Sequence, residues 1–504
     1  MPTIETMSCT TILVGKKASY DGSTIIARDD DSGSGRYDPK KFVAIAPQEQ
    51  PRHYRSVLSH VEIDLPDNPC RYSIVPNVLP NRGILAEAGV SERNVAMSAT
   101  ETIAVNERVL GADPLVALQP ADEANGKPET PGGIGEEDII TLVLPYVNTA
   151  REGVKRLAEL LETYGTYESN GIIISDVDEI WYVETIGGHH WIARRVPDDC
   201  YVTMPNQLGI DSFDLDDAYG EKCCHLCSPD LREWVAQNHL DLSLDGQLNP
   251  RDAFGSHSDS DHVYNTPRAW AIQRFLSPTA GPWDRALPAE DFGPECDRLA
   301  WCRRPERKVT IEDVKYALSL CYQGTPYDPY GHDPAGRPGR YRPIGINRNS
   351  QLAVLQLRPY EPEATRALQW VSLGSNAYNA LVPFYANVGR TPAYLEDTTT
   401  RVTSENFYWA NRIIGALADG ARTGCVPHVE RYQEALPAAT FALVRACDER
   451  VREDAVAGSD VCGELEAAND VIADECRRQT EALLDHVLYE ASMGMGNAFC
   501  RSDG

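Results

Sequence analysis

The first thirty residues carry the pattern of a β-hairpin. Residues 9–15 read Cys-Thr-Thr-Ile-Leu-Val-Gly and are rich in β-branched side chains, which favours a strand. An Asp-Gly pair at 21–22 is a strong turn signal, and residues 24–28 have the composition of the returning strand. Because the two ends of a hairpin meet, we expect Cys9 to lie beside Arg28 and the acidic residues that follow it.

The middle of the chain predicts one well-delimited helix and then several short strands. Thr149 and Glu152 match a capping box. Apolar residues recur at helical spacing over 154–164, and Gly165 is placed to end the helix. The segments that follow are separated by Asp, Gly or Pro turns and suggest an antiparallel meander of four strands: residues 172–175, 180–185, 191–195 and 201–204.

The remaining pattern divides into further strands, two loops and a helical end. Strand character appears over 84–100, 352–357 and 369–373, whereas 112–137 and 323–343 are Pro- and Gly-rich and predict loops. From about residue 404 the periodicity is helical. This order is not a βαβ alternation, so it predicts an α+β fold or a layered sandwich and disfavours a doubly wound parallel sheet.

Charge and apolar content exclude several classes of partner. The 504 residues include 47 Lys and Arg against 75 Asp and Glu, a formal net charge of −28. Nucleic acid and anionic membranes attract basic surfaces, so neither is expected as the main partner. No apolar run approaches the ~18 residues of a membrane span, and the N-terminus lacks a secretory pattern. We therefore expect a cytoplasmic protein whose fourteen cysteines are reduced and mostly buried.

Neither a cofactor nor a metal is predicted. The chain lacks the motifs of serine-hydrolase elbows, zincins, P-loops and dinucleotide sites. Residues 223–227, Cys-Cys-His-Leu-Cys, have soft ligands but no second pair at zinc spacing, which favours ordinary thiols. Residues 257–262 combine His and Asp in a polar stretch, which favours a solvated or substrate-facing loop.

Cys9 is the one cysteine with an evident chemical use. If residues 1–8 were removed, Cys9 would carry both a thiol and a free α-amine. An α-amine has an ordinary pKa of about 7.7–8.0, so it can accept the thiol proton near neutral pH. The chain terminus would then be the base of an activated nucleophile, and no histidine would be required.

A family resemblance supports this chemistry. The segment from Cys9 to Arg28 resembles the start of the bacterial PepD-type dipeptidases, which are cysteine N-terminal-nucleophile hydrolases related to conjugated bile acid hydrolases and penicillin V acylases. Shorter matches include Trp-Val-Ser-Leu-Gly-Ser at 370–375 and Val-Pro-Phe-Tyr at 382–385. The resemblance implies autocatalytic removal of a leader, residues 1–8, and a homo-oligomer. It also implies a four-layer αββα sandwich over 9–400 with a helical C-terminal extension over 401–504.

The resemblance also assigns roles to five residues. They are Cys9 as nucleophile, Arg28 beside it, Asp31 as the contact of the cysteine amine, Asn206 as a side-chain oxyanion donor and Arg268 as a second arginine. Asp30 is the alternative to Asp31, and a backbone N–H near Ala99 is expected to complete the oxyanion hole. Each of the five also has a structural alternative: a buried thiol, an ion pair, two turn residues and a surface arginine, in the order of the list.

The implied function is hydrolysis of dipeptides, and another hydrolase activity and two non-hydrolase functions are left open. The same five residues would serve an amidase of the bile acid or penicillin V type, and only the closer hairpin match favours the dipeptidase. Small peptides would then be the substrates, with loops 112–137 and 255–265 as candidates for recognising their ends. The alternatives outside the hydrolases are a non-catalytic scaffold and a thiol or metal protein built on residues 223–227.

Overall fold

The chain folds into a mixed α/β structure with two large antiparallel sheets. A computed structural model describes residues 8–33, 36–279, 293–454 and 461–497. Its strands are β1 (Cys9–Val14), β2 (Thr24–Asp31), β3 (Val43–Ile45), β4 (His53–Arg55), β5 (Glu62–Asp64), β6 (Tyr72–Ile74), β7 (Ala88–Ser91), β8 (Ala96–Thr102), β9 (Asn170–Ser175), β10 (Ile180–Ile186), β11 (His190–Arg195), β12 (Tyr201–Met204), β13 (His225–Cys227), β14 (Cys302–Arg303), β15 (Asn349–Leu357), β16 (Ala367–Leu373) and β17 (Val382–Tyr385).

The helices lie between the strands and, above all, after them. They are α1 (Glu107–Ala112), α2 (Ile139–Val143), α3 (Ala150–Tyr164), α4 (Leu215–Tyr219), α5 (Leu231–Gln237), α6 (Pro250–Phe254), α7 (Asp261–Tyr264), α8 (Thr266–Leu276), α9 (Ile311–Ala317), α10 (Ala393–Glu396), α11 (Phe407–Gly420), α12 (Arg422–Asp454) and α13 (Val461–Met493). The helical C-terminal region predicted from the sequence is therefore confirmed.

The two large sheets have seven and eight strands, and the predicted hairpin lies inside the seven-stranded sheet. The seven-stranded sheet has the order β14-β12-β1-β2-β15-β16-β17, and the eight-stranded sheet has the order β13-β11-β10-β9-β8-β7-β6-β3. The predicted hairpin is confirmed, since β1 pairs antiparallel with β2 and places Cys9 opposite Asp30. Gly22, with φ of 87°, supplies the left-handed residue of the turn. The nucleophile candidate thus begins a strand that is flanked on both sides.

The predicted four-stranded meander is right for three strands and wrong for the fourth. Strands β9, β10 and β11 pair in sequence, but β12 pairs with β1 in the other sheet. The chain crosses between the sheets at 196–200, where Lys17 N–H donates to Asp198 O at 2.7 Å and Gly15 N–H to Cys200 O at 2.9 Å. Alternating hydrophobicity identifies a strand, but it does not say which sheet the strand joins.

Alternate residues of the hairpin face different hydrophobic clusters. Leu13 and Ile26 pack with Tyr182 of the eight-stranded sheet, in the cluster between the two sheets. Ile12 points the other way and shares a cluster with Trp370 and the C-terminal helices. A third cluster joins the far face of the eight-stranded sheet to α3. Because successive side chains of a strand point to opposite faces, β1 is buried on both.

The C-terminal helices are joined to the seven-stranded sheet through its last strands. Trp370 and Phe441 have ring centroids 4.9 Å apart. The Tyr385 hydroxyl donates to Asp448 at 2.8 Å. At the edge strand β17, the Asn469 side chain accepts from Tyr385 N–H at 2.9 Å and donates to Tyr385 O at 3.0 Å. Although α12 and α13 have 33 residues each, no helix in the described ranges is long and apolar enough to cross a bilayer.

Helix α3 has the predicted ends, with one difference in its cap. The Thr149 hydroxyl accepts from Glu152 N–H at 3.1 Å, and Gly165 follows the last turn with φ of 68°. The Glu152 carboxylate accepts from Asn148 N–H at 2.8 Å, one residue before the position that a capping box uses. Both contacts satisfy N–H groups at the helix start, so the helix begins where the sequence predicts.

The thirteen cysteines within the described ranges are free, and eight of them are buried. The expectation of mostly buried thiols is confirmed for these residues. Cys500 lies outside the described residues.

Candidate functional site

Cys9 is fully buried at the head of β1, and a guanidinium contacts its sulfur. Arg28 Nη2 donates to Cys9 Sγ at 2.8 Å, and the Cys9 thiol lies 4.0 Å from Asp30 Oδ1. The antiparallel register explains both contacts, because Asp30 is directly opposite Cys9 and Arg28 is its diagonal neighbour on the same face. A positive charge next to the sulfur favours the thiolate, which is the nucleophilic form of cysteine.

Two carboxyl groups, those of Glu87 and Glu136, lie beside the Arg28 guanidinium. Its Nε lies 3.4 Å from Glu87 Oε2, and its Nη2 lies 3.4 Å from Glu136 Oε1. Lys40 Nζ completes the cluster at 3.0 Å from Asp30 and 3.7 Å from Glu87. All of these side chains are at most 5 % exposed. Buried charges are tolerated when they are paired, as they are here.

Burial also changes the protonation of this cluster. Desolvation, together with repulsion from Glu136, raises the pKa of Glu87 well above its ordinary value. Desolvation and the charge of Glu168 raise the pKa of Glu136 to about 7. The carboxylates of Asp30 and Glu87 raise the pKa of Lys40, although its burial alone would lower it. Burial therefore favours the protonated forms of Glu87 and Glu136, whereas Lys40 keeps its charge.

One group of residues in the described ranges has metal-ligand spacing, and it lies in this cluster. Ligand atoms of Cys9, Glu87 and Glu136 lie within 4.8 Å of one another. The Arg28 guanidinium, however, contacts all three at 2.8–3.4 Å. A side-chain cation already supplies the charge that a metal would bring, so the geometry fits an ion-pair network better than a metal centre.

Asp31 contacts the residue that precedes the nucleophile. Its carboxylate accepts hydrogen bonds from Arg342 Nη2 and, at 2.6 Å, from Asn349 Nδ2. Its backbone N–H donates to Ser8 O at 3.1 Å. The structure thus brings Asp30 to the thiol of Cys9 and Asp31 to the carbonyl of the Ser8–Cys9 peptide bond.

Asn206 and Arg268 meet at the backbone of Cys9. The Cys9 N–H donates to Asn206 Oδ1 at 3.2 Å, and Arg268 Nη2 donates to the same oxygen at 2.8 Å. Arg268 Nη1 also donates to Cys9 O. Arg268 is fully buried, so its surface alternative is wrong. The Asn206 Nδ2 donates to Thr102 O at 3.0 Å, which uses one of its two N–H groups.

The backbone donor expected near Ala99 already has a partner. Ala99 N–H donates to Glu87 O at 3.1 Å. The same contact holds the chain that carries Glu87 into the Arg28 cluster. Ala99 therefore acts here as a support of the carboxyl cluster.

Ser8 is itself held by side chains that the sequence analysis did not find. The Tyr264 hydroxyl donates to Ser8 Oγ at 2.6 Å, and Arg342 Nη2 donates to it at 3.4 Å. The guanidinium of Arg342 also lies over the Tyr264 ring, 5.2 Å from its centroid. Ser8 is 3 % exposed, so these side chains cover the residue that precedes Cys9.

The residues that sequence reasoning missed share a cause. Glu87 and Glu136 lie far from the hairpin along the chain and approach it only through the packing of the two sheets. Glu87 has φ of 60°, a left-handed conformation that no sequence pattern marked. Glu136 ends up in an acidic run, 136–138, at the end of the predicted loop 112–137, and all three residues of the run are buried. Burial of that run is the one signal that could have found it, and burial needs the structure.

The two clusters considered for metal binding have other contacts. The Asp217 carboxylate accepts from the backbone N–H groups of Cys223, Cys224 and His225 at 2.8–2.9 Å, which makes residues 223–225 a hydrogen-bonded turn. In the second cluster, His262 Nε2 pairs with Asp297 at 2.7 Å.

Comparisons with known proteins identify the family of this chain. The model of peptidase family C69 matches residues 8–435. A protein named dipeptidase from Bifidobacterium longum (strain NCC 2705) is 57% identical over 99% of this chain and 100% of its own length. Probable dipeptidase A from Streptococcus pyogenes serotype M18 is 50% identical over 99% of both chains, and dipeptidase A from Lactobacillus helveticus is 41% identical over 96% of both.

Proposed function

Because the chain belongs to peptidase family C69, we propose that it is a dipeptidase whose nucleophile is Cys9, made N-terminal by autocatalytic loss of residues 1–8. The observation that carries the proposal is the contact of 2.8 Å between Arg28 Nη2 and the buried Cys9 sulfur. A buried cysteine at a strand end has no structural need of a guanidinium, whereas a nucleophilic thiolate does.

Hydrolysis then proceeds through a thioester. The α-amine of Cys9 takes the thiol proton, and the sulfur attacks the scissile carbonyl carbon. The second N–H of the Asn206 amide, which Thr102 O does not use, stabilises the developing oxyanion. The ammonium returns the proton to the leaving amine, and the carbon–nitrogen bond breaks. Water, deprotonated by the same amine, hydrolyses the thioester and restores the thiol.

The other assigned side chains hold this geometry. Asn206 Oδ1 accepts from the Cys9 nitrogen, which becomes the α-amine, and Arg268 fixes that amide by donating to the same oxygen. Arg28 favours the thiolate. Asp31, next to the Ser8–Cys9 bond, orients the α-ammonium after the leader leaves.

Maturation uses the same sulfur before the α-amine exists, because the Cys9 nitrogen is still part of the Ser8–Cys9 amide. The Cys9 sulfur attacks the Ser8 carbonyl carbon, the Ser8–Cys9 carbon–nitrogen bond breaks, and the thiol proton passes to the nitrogen, which becomes the α-amine. Water then hydrolyses the resulting thioester and releases residues 1–8 as a peptide with a free carboxylate. The hydrogen bond of 3.1 Å from Asp31 N–H polarises the carbonyl that is attacked.

We propose the N-terminal-nucleophile sandwich as the architecture. Three hydrophobic clusters, one between the sheets and one on each outer face, support an αββα layering. The division into a leader (1–8), a hydrolase unit (9–400) and a helical extension (401–504) belongs to the same proposal, as do the cytoplasmic location and the homo-oligomer.

The competing activity is an amidase of the bile acid or penicillin V type. The catalytic groups are the same in both cases, but the relatives that cover nearly the whole chain are named dipeptidases, which favours peptides. Parallel assays with dipeptides, bile acid conjugates and penicillin V separate the two. Faster hydrolysis of either non-peptide substrate would reject the dipeptidase.

The decisive variant is Cys9→Ala. We expect intact mass and N-terminal sequencing to show a wild-type chain beginning at Cys9 and a variant that retains residues 1–8. The variant should also hydrolyse no dipeptide, because both reactions need the same sulfur.

Cys223→Ala is the matched control, since it removes an exposed thiol. It should mature and hydrolyse dipeptides as the wild type does. A fully active wild-type chain that keeps residues 1–8, or a Cys9→Ala variant that still matures, would contradict the mechanism.

A further inference from the structure

The side chains of Tyr264 and Arg342, which hold the Ser8 hydroxyl, have no role in the catalytic steps above. From their position we infer that they form the pocket for the N-terminal residue of the dipeptide, and that this pocket selects a small side chain carrying a hydrogen-bonding oxygen, with serine as the type case. The inference rests on the proposed function and names the substrate class of the same site.

The chemistry places Ser8 and the substrate residue in one location. During maturation the Cys9 sulfur bonds to the Ser8 carbonyl carbon, so Ser8 is the acyl group of the thioester. During catalysis the N-terminal residue of the dipeptide becomes the acyl group on the same sulfur, and the carbon–nitrogen bond to its leaving amine breaks. Two acyl groups on one fixed sulfur meet the same surrounding side chains.

The contacts of Ser8 therefore describe the subsite. Its carbonyl accepts from Asp31 N–H at 3.1 Å, and its hydroxyl oxygen accepts from the Tyr264 hydroxyl at 2.6 Å and from Arg342 Nη2 at 3.4 Å. With 3 % of its surface exposed, Ser8 fills the space available to it. A larger side chain would need these neighbours to move, whereas an alanine would remove the acceptor of the Tyr264 hydroxyl.

Arg342 gives the pocket its polarity. Its side chain is 8 % exposed, and its Nε and Nη1 are buried without a hydrogen-bond partner. Its Nη2 is shared between Asp31 and Ser8. When the leader leaves, the Tyr264 hydroxyl and this guanidinium lose the Ser8 oxygen. An oxygen on the substrate side chain replaces that acceptor, and a purely apolar side chain does not.

The test compares two dipeptides that differ by one hydroxyl, seryl-leucine and alanyl-leucine. For the mature wild-type enzyme we expect kcat/KM to be about tenfold higher for seryl-leucine, the effect of one hydrogen bond in a buried site. Tyr264→Phe, which removes the hydroxyl and keeps the ring, should bring this ratio close to one. Arg342→Lys, which keeps the charge, is the second variant and should lower the ratio without abolishing it.

Two controls isolate the pocket. Tyr360→Phe removes a hydroxyl from a tyrosine that contacts Asp21 at the surface, and its ratio should equal that of the wild type. The Ser8→Ala precursor should mature more slowly, because its scissile residue has lost the hydroxyl contacts. The mature chain that it yields begins at Cys9 and has the wild-type sequence, so its ratio must equal that of the wild type.

The outcomes separate the two proposals. A matured enzyme that hydrolyses both dipeptides at equal kcat/KM, or whose preference survives Tyr264→Phe, overturns the inferred pocket and leaves the dipeptidase intact. An active chain that retains residues 1–8 overturns the proposed function instead.

Discussion

Arg28 is a buried cation whose neighbours include a thiol and two carboxyl groups. Its side chain is 1 % exposed, and it contacts the sulfur of Cys9 and the carboxyls of Glu87 and Glu136. Breaking a buried pair by removing one partner leaves an uncompensated charge. Under the proposed mechanism, removal of Glu87 or Glu136 would change the charge around Arg28 and, through Arg28, the reactivity of the Cys9 thiol.

A second buried carboxyl supports the segment that follows Asn206. Glu184 is fully buried, and its Oε1 accepts from Gly209 N–H at 2.6 Å and Ile210 N–H at 3.2 Å. Burial raises the pKa of Glu184 from 4.5 to about 7, although these hydrogen bonds oppose the shift. The folded protein therefore holds a proton between these two pH values that the unfolded chain releases.

Glu184→Gln should remove this pH dependence. In the wild type, the contribution of the protonated Glu184 to the free energy of unfolding is fully present below pH 4.5. It is lost as pH rises through 7, and the loss is on the order of 3 kcal/mol. Thermal midpoints at pH 5 and pH 8 measure it, and the wild type should lose more between them than the variant. Glu159→Gln, at an exposed position of α3, is the control and should behave as the wild type. Equal losses in wild type and Glu184→Gln would show that the carboxyl titrates normally.

At the scale of elements, local signals were sufficient for the hairpin and for α3. The Asp-Gly turn and the cap at Thr149 act over a few residues, so the sequence contains all the information that they need. The sheet that β12 joins depends instead on contacts between the 196–200 crossing and the end of β1. No period along the chain encodes such a contact.

Gly15 makes that crossing possible. A Cβ at this position would lie 2.5 Å from the carbonyl oxygens of Pro197 and Asp198, which are backbone atoms. We expect Gly15→Ala to destabilise the protein by about 1–3 kcal/mol, the usual cost of overpacking, and to lower its thermal midpoint. Gly111→Ala, in a helix with open space at the Cβ position, should be neutral or slightly stabilising. A Gly15→Ala midpoint equal to that of the wild type would mean that the crossing relaxes freely.

For the whole molecule, the candidate site is made where distant segments converge. Sequence similarity assigned Cys9, Arg28, Asn206 and Arg268, and the structure joins these four by hydrogen bonds. Glu87 was missed because it meets Cys9 only after the two sheets have packed, whereas Glu136 and Tyr264 lie in loops 112–137 and 255–265, which the sequence named for substrate recognition without singling out either residue. The hairpin contact between Cys9 and Arg28 is therefore easier to predict from sequence than the carboxyl groups that surround Arg28.

The C-terminal helices also depend on a buried ion pair. Asp448 of α12 accepts from Arg358 Nη1 at 2.6 Å, and the two side chains are at most 6 % exposed. Asp448→Ala should destabilise the protein by about 3 kcal/mol, because the buried guanidinium loses its nearer charge partner and keeps only Glu361, 4.0 Å away. Thermal unfolding checks this against Glu449→Ala, whose carboxylate is 61 % exposed and whose loss should cost about 0–1 kcal/mol. Equal midpoints for the two variants would place the helices outside the cooperative core.

The contact between Asn469 and Tyr385 has a consequence for association between chains. An unpaired strand edge is the place where a strand from a second molecule adds to a sheet. Here the amide of Asn469 occupies the backbone N–H and carbonyl of Tyr385 at one edge. The strands at the other three edges, β14, β13 and β3, have only two or three residues each. If copies of this chain associate, we therefore expect contacts through helices and loops, since the described edges of the two large sheets leave little backbone for a neighbour to extend.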